Sequence, residues 1–201
     1  ALVDFKVGSV LNTINNTAQK PSVWFKNISK IQKIAMNNNR LGIPVIYGID
    51  AIHGTTYTDG ATMFPQQITT AASWNPENAY NMAQVCAYET RASSIPWNFS
   101  PVLDLGLDPR FPRQFETFGE DPFLVGNFGV EMIKGLQSDD FSGFDHVIAC
   151  AKHFAAGSEP VNGLNVSPMD ISERTLREIY LKPFKRAVDA GVYSVMAAHN
   201  E

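Results

Sequence analysis

The sequence predicts an α/β fold: an incomplete TIM-like (β/α)8 barrel, roughly its first half to five-eighths. Three observations predict it. Short apolar runs recur at an even spacing, helical patterns fill the intervals, and each run ends in a burst of polar residues. Unbroken apolar runs read as strands buried on both faces, as in parallel sheets. Strands that alternate with helices are joined by crossover connections.

In chain order, the short run GSVLNTI, from Gly8, reads as a first strand. The stretch VWFKNISKIQKIAMNNNRLG follows as a helix ending near Asn39. IPVIYGID, from Ile43, is the next strand. NPENAYNMAQVCAYETRASS is a helix with Asn75 as N-cap and Pro76 at its first position. IPWNFSPVLDL and HVIACAKHF are two further strands. DISERTLREIYLKPFKRAVDAG opens with Asp170 and Glu173 at capping-box spacing. Its residues Leu176, Ile179, Tyr180, Phe184 and Val188 share one helical face. Pro183 predicts a kink, and Gly191 an end. VYSVMAAHN is the last strand.

The four longer strands centre on runs that start at positions 45, 97, 148 and 195. Each unit thus takes about 50 residues, against roughly 30 in a compact barrel of about 250. Eight such units need about 400 residues. The chain stops at AAHNE, directly after a strand, so residues 1–201 are expected to form part of a barrel domain that continues in a longer parent. A doubly wound open sheet is the rival architecture, but the GxGxxG and P-loop patterns are absent.

Composition narrows the partners. Hydrophobic residues make up 44% of the 201, enough for a substantial core. The net charge is −4 and there is no basic run, which argues against nucleic acid. No apolar stretch reaches the length of a membrane span. The opening ALVDFKVGSVL lacks a signal-peptide pattern, so any targeting segment is expected upstream. Cys86 and Cys150 both lie in apolar contexts and read as buried free thiols. Sequons at Asn15, Asn27, Asn98 and Asn165 are too short a motif to fix a compartment.

The chemistry is expected where the strands end. The polar bursts are GIDAIHG, LDLGLDPR, AKHF and AHNE. In a barrel, the C-terminal strand ends form the active-site face. One burst is an ordinary strand terminus; four point to a pocket. Asp50 is therefore weighed as a pocket residue against a turn aspartate. His53 reads as structural, an imidazole tying a loop to backbone groups. Asp50 and His53 lack a third ligand at suitable spacing, so a metal is not expected. Lys152 fits two chemistries, a Schiff-base lysine or a hydrogen-bond donor to a substrate hydroxyl. Arg110, Arg113, Glu116, Glu120 and Asp121 crowd into DPRFPRQFETFGEDP, whose three aromatics and three prolines suggest a rigid loop. A rigid arginine beside carboxylates suits a polyhydroxylated ligand.

Together these motifs resemble glycoside hydrolase family 3, in particular its β-glucosidase branch. The matching stretches are RLGIPVIYGIDAIHG, FPQQITTAASWNPE, SPVLDLGLDPRFPRQFETFGEDP, ACAKHFAAG, MDISERTLREIYLKPFKRAVDAG and SVMAAHN, from about residue 8 to 201. The resemblance implies a TIM-like barrel followed in the parent by an α/β-sandwich domain. It implies exo-acting, retaining hydrolysis of terminal β-linked sugars, usually glucose, with no cofactor. It places Asp50, Arg113, Lys152 and His153 around the non-reducing sugar of the −1 subsite. Met196 would line the pocket, and Glu116 would support Arg113. Lys152 then reads as a hydroxyl donor. The implied partners are a β-glucoside or short β-glucan oligosaccharide and the remaining barrel strands and sandwich domain of the parent. Members of this branch are often secreted or periplasmic.

The departures matter equally. The family's nucleophile is an aspartate in a GxVxSDW-type strand beyond AAHN, and its acid/base comes from a later domain. Retaining hydrolysis needs two carboxyls about 5–5.5 Å apart. Neither is expected within residues 1–201, so the chain alone is expected not to turn over substrate. The run KHFAAGSEP lacks the second histidine of the KHFPGHG run that marks the β-N-acetylglucosaminidase branch, which disfavours N-acetylhexosaminides. RFPRQFE departs from the common tryptophan-glycine version but leaves Arg113 in register. The alternatives are a β-xylosidase or other family 3 exo-glycosidase, a non-catalytic sugar-binding module, and a Schiff-base aldolase.

Overall fold

Five parallel strands lie side by side in chain order in the computed structural model, which describes residues 1–15, 17–138, 140 and 143–200. They are β1 (Ser9–Leu11), β2 (Ile46–Ile49), β3 (Trp97–Asn98), β4 (Ile148–Phe154) and β5 (Ser194–Ala197). Ser9 pairs with Ile46, Gly48 with Trp97, Trp97 with Ile148, and Cys150 with Ser194. Each strand adds to the same side of its predecessor. A doubly wound sheet reverses that order partway, so the structure settles the rivalry in favour of an incomplete barrel.

The helices pack outside the sheet. They are α1 (Pro21–Asn38), α2 (Gln67–Ala71), α3 (Glu77–Ala92), α4 (Pro122–Leu136), α5 (Glu173–Thr175) and α6 (Leu181–Asp189). The two-residue period of a strand decides what faces them. Tyr47 and Ile49 turn outward onto Trp24 and Ile28 of α1 and Cys86 of α3. Ala149 and Ala151 turn outward into a larger core with Met82, Leu103, Phe118, Phe128, Met132 and Phe184. The alternate residues Gly48, Cys150 and Lys152 face inward. Gly48 is a glycine of necessity, because a Cβ there would lie 2.3 Å from Phe99 Cζ. Phe99 stacks edge-to-face on Trp97 at 4.8 Å beneath the strand ends.

Such short strands leave backbone groups without ladder partners, and four side-chain amides take those places. Gln32 donates to Val45 O at 2.7 Å and accepts from Val45 N at 2.9 Å. Asn98 makes the same reciprocal pair with Ala51, at 3.0 and 3.1 Å. Gln67 makes it with Val102, at 3.0 and 3.1 Å. Gln137 Oε1 accepts from both Ala149 N and Tyr193 N, each at 3.1 Å, while its Nε2 donates to Gly191 O at 3.0 Å. The Asn98 sequon is therefore spent: the side chain is fully buried and both ends of its amide are bonded.

The structure departs from the sequence reading in four places. The helix α4 was not expected. Its start signals are present, since Asp121 caps Leu124 N at 2.8 Å and Pro122 opens the first turn. Gly126, Gly129 and Gly135 weaken the apolar pattern, yet all three allow close packing: a Cβ at Gly129 or Gly135 would lie 2.4 Å from Leu103 Cδ2 or from Tyr80 O, and one at Gly126 would lie 2.6 Å from Arg186 Cδ. The cap before α5 is Ser172, which accepts from Thr175 N, rather than Asp170. Asn75 accepts from Glu77 N, but the cap position of α3 falls on Pro76. The kink assigned to Pro183 takes the form of a π turn, Leu176–Tyr180, just before α6. Along that face Tyr180 and Phe184 are buried, whereas Val188 is exposed and lines an outer groove with Leu181 and Val195. Gly191 ends the helix at φ +81°.

Two outcomes follow from this framework. Asn98→Leu removes two buried hydrogen bonds from the Ala51 peptide and leaves it only the weaker contacts with Ile49 O and Cys86 Sγ, and should lower unfolding stability by about 1–3 kcal/mol in urea titration. Burial pushes the Cys86 thiol up to about 11, against opposing hydrogen bonds with Thr55 and Thr90. The native state thus keeps a proton that the unfolded chain releases above its ordinary 9.0. Its contribution is intact below pH 9 and is lost as pH rises toward 11. The unfolding midpoint should fall across that window, and fall less steeply in Cys86→Ala.

Candidate functional site

The site forms where β2, β3 and β4 end. Lys152 points inward from β4 and is only 2% exposed in its side chain. Its ammonium donates to Asp50 Oδ1 at 2.5 Å, just past the end of β2. A buried ammonium without a partner is costly, so this carboxylate settles where the lysine points. Asp50 itself is 38% exposed. The pair is therefore closed at the lysine and open at the aspartate. The Asn98 amide holds Ala51 from beneath, which fixes the backbone carrying Asp50.

His153 is the next residue on β4. Its Nδ1 lies 2.6 Å from Asp104 Oδ2, and its backbone N–H donates to the same oxygen at 3.3 Å. Asp104 is brought there by the segment after β3. Leu103 N donates to Lys152 O at 2.6 Å and Lys152 N to Pro101 O at 3.1 Å, so residues 101–104 run alongside β4. Gly106, further along, packs against Thr117 and Gln114 and leads the chain into the Arg113 turn.

Arg113 forms a fork with Glu116, Nε to Oε1 at 2.9 Å and Nη2 to Oε2 at 2.6 Å, across the short helical turn Gln114–Glu116. Glu116 holds the guanidinium above its ordinary range; burial opposes this, and the charges of Asp104 and Asp50 add to it. Arg113 thus shares one electrostatic field with both aspartates. Burial, reinforced by Asp50 and Glu116, likewise pushes the Tyr57 phenol up. Met196 is half-buried and stands opposite Lys152 in the β4–β5 register.

The structure gathers Asp50, Lys152, His153, Arg113, Glu116 and Met196 around the strand ends. It separates the other charged residues of the arginine loop. Arg110 binds Asp108 on the surface, Glu120 is exposed, and Asp121 caps α4. His53 Nδ1 lies 2.8 Å from Phe64 O, a loop-tying contact. Among the described residues, no group of three His, Cys, Asp or Glu side chains is placed to hold a metal ion. The sequence reading missed Asp104. A signal was available: a carboxylate between two leucines in VLDLGL needs a buried partner.

Chemically, the site offers a lysine ammonium, an arginine fork and an imidazole as hydrogen-bonding groups, with Asp50 as an open acceptor. Such a set can hold neighbouring hydroxyls, each giving and receiving one bond.

Comparison with known proteins shows the family and supports the fold. The family model described as the glycosyl hydrolase family 3 N terminal domain matches residues 1–201. The lysosomal beta glucosidase of Dictyostelium discoideum is 37% identical over 187 residues, covering 90% of this chain and 23% of that protein. A beta-xylosidase of Formosa agariphila is 43% identical over 182 residues, covering 87% of this chain and 25% of that protein. The crystal structure of a beta-glucosidase from Listeria innocua superposes with a TM-score of 0.85 at 36% identity, over 97% of this chain and 25% of its own. The chain spans about a quarter of the length of these relatives. With the family model matched along its whole length and relatives above 30% identity, the chain belongs to glycosyl hydrolase family 3, within its N-terminal domain.

Proposed function

We propose that this chain is the sugar-holding part of an exo-acting, retaining β-glycosidase whose substrate is a terminal β-D-glucoside. The observation that carries the reading is the Lys152–Asp50 pair, a buried ammonium feeding an open carboxylate at the end of parallel strands. In this reading Lys152 and Arg113 donate to hydroxyls of the −1 sugar, Asp50 accepts from one, His153 completes the ring of contacts, and Met196 lines the wall. Hydrogen bonds of this kind strengthen as the sugar flattens toward an oxocarbenium ion and supply several kcal/mol. Relatives named beta-glucosidases support it, as do structures of the Listeria enzyme in complex with glucose and with laminaribiose. The nucleophile and acid/base would come from further barrel strands and a sandwich domain in a longer parent. A β-xylosidase is the second reading, favoured by the 43% identity to the Formosa enzyme. Glucose and xylose differ only in the hydroxymethyl group, so the first reading requires that one contact of this site take the hydroxyl of that group.

The reading is tested by calorimetric titration of the chain with glucose, xylose and isofagomine. Glucose should bind more tightly than xylose. Asp50→Ala and Lys152→Ala should each weaken binding by about tenfold or more, as expected for a lost charged hydrogen bond. Tighter binding of xylose would select the second reading, and loss of neither contact mattering would reject both. The chain should release no nitrophenol from p-nitrophenyl β-glucoside. Its intact mass should stay unchanged after incubation with a 2-deoxy-2-fluoro-β-glucoside bearing a good leaving group. A gain of one fluoroglucosyl group would place a nucleophile within residues 1–201.

A further inference from the structure

We propose that Asp104 is a positioning residue that acts on the sugar through His153, by fixing which ring nitrogen carries the proton. The inference rests on the sugar-binding reading of the site. A carboxylate can only accept hydrogen bonds, so the 2.6 Å contact at Asp104 Oδ2 requires a proton on His153 Nδ1. A neutral imidazole has one donor and one acceptor nitrogen. With Nδ1 committed as donor, Nε2 is left as the acceptor. No protein group among the described residues bonds Nε2, and the side chain keeps 11% of its surface open. His153 therefore takes a hydrogen bond from the sugar, while Lys152 beside it gives one. The two neighbours on β4 read opposite ends of a hydroxyl pair.

The surroundings keep Asp104 at this task. Its side chain is 1% exposed, and its other oxygen, Oδ1, is buried without a hydrogen-bond partner. Oδ2 accepts from both the ring and the backbone N–H of the same histidine, so the ring cannot turn over without losing the contact. The bond from Leu103 N to Lys152 O ties the aspartate's segment to the histidine's strand. Gly157 closes the arrangement from the far side. A Cβ there would lie 3.2 Å from His153 Cβ, 3.3 Å from Asp104 Oδ1 and 3.4 Å from Ala198 Cβ. The chain passes over the pair as bare backbone.

Nitrogen NMR of the whole chain with ¹⁵N-labelled histidine tests this. There are only four histidines, His53, His146, His153 and His199, so the ring signals can be assigned by single substitutions. At about pH 8, above the ordinary imidazole range, His153 should show the Nδ1–H tautomer. Asp104→Asn should keep it, because the amide oxygen still accepts. Asp104→Ala should release the ring into a mixture rich in Nε2–H, with the other three histidines unchanged. Glucose affinity, titrated on the same samples, should fall about tenfold in Asp104→Ala and be largely restored in Asp104→Asn. An Nε2–H ring in the unsubstituted chain, or a tautomer that ignores Asp104, overturns the proposal. If Asp104→Ala does not fold, the unsubstituted chain and Asp104→Asn still decide it. An Nδ1–H ring that follows Asp104 in a chain that binds no glucose would instead count against the sugar-binding reading and leave the hold on His153 standing.

Discussion

A lysine ammonium at the inner face of a sheet has few places to go, and this one sets the layout around it. Lys152 is shut away from water and must meet a carboxylate. Asp50 supplies it from two strands away, across β3. That reach requires β2 and β4 to end at one level and the strand between them to stay low. Gly48 makes this possible, since its missing side chain leaves room for Phe99, which meets Trp97 edge to face at the strand ends. The aromatic floor, the ion pair and the open carboxylate above it are one construction. Arg113 and Glu116 then close the side with a fork that is already satisfied within the protein. The site is preorganised because each of its charges has a protein partner before any ligand arrives.

The second constraint is the brevity of the strands. Two residues of β3 pair with neighbours in a run where eleven look capable of it. Pro96 and Pro101 remove donors at either end, so the continuous ladder stops and resumes only as a single bridge between Val102 and Lys152. Gln32, Asn98, Gln67 and Gln137 restore what is missing, each presenting an oxygen and an N–H in the spacing of a peptide group. Three of them meet one residue on both its N–H and its C=O. A polar side chain at such a position is part of the sheet rather than an exception to the core.

This explains which features were legible in the sequence. The strand runs, their spacing and their polar endings reflect short-range patterns, and these carried the barrel and put Asp50, Lys152 and His153 at strand ends, whereas the choice of Arg113 and Glu116 within their crowded loop came from the family resemblance. Asp104 stands 49 positions from His153. The run VLDLGL announces that a buried carboxylate needs a partner, but a pattern read along the chain cannot say which group meets it. The helix α4 was hidden for a related reason. Its glycines look like helix breakers in one dimension, yet Gly129 and Gly135 are where Leu103 and the α3 backbone press closest. Ser172 displaced Asp170 as a cap because both residues suit that role, and only the path of the chain selects between them.

The amide clamps also tie the protein's chemical shelf life to its folding. Hydrolysis turns a glutamine or asparagine amide into a carboxylate of nearly the same shape. At Gln67 the change would set an oxygen against the Val102 carbonyl, where an N–H now donates. The hydrolysis needs water, and both Gln67 and Asn98 are fully buried. While the chain is folded, water has no access to these two amides. Each excursion to the unfolded state exposes them, and a chain deamidated there returns with a clamp that repels its target. Wear of this kind accumulates with time spent unfolded rather than with age.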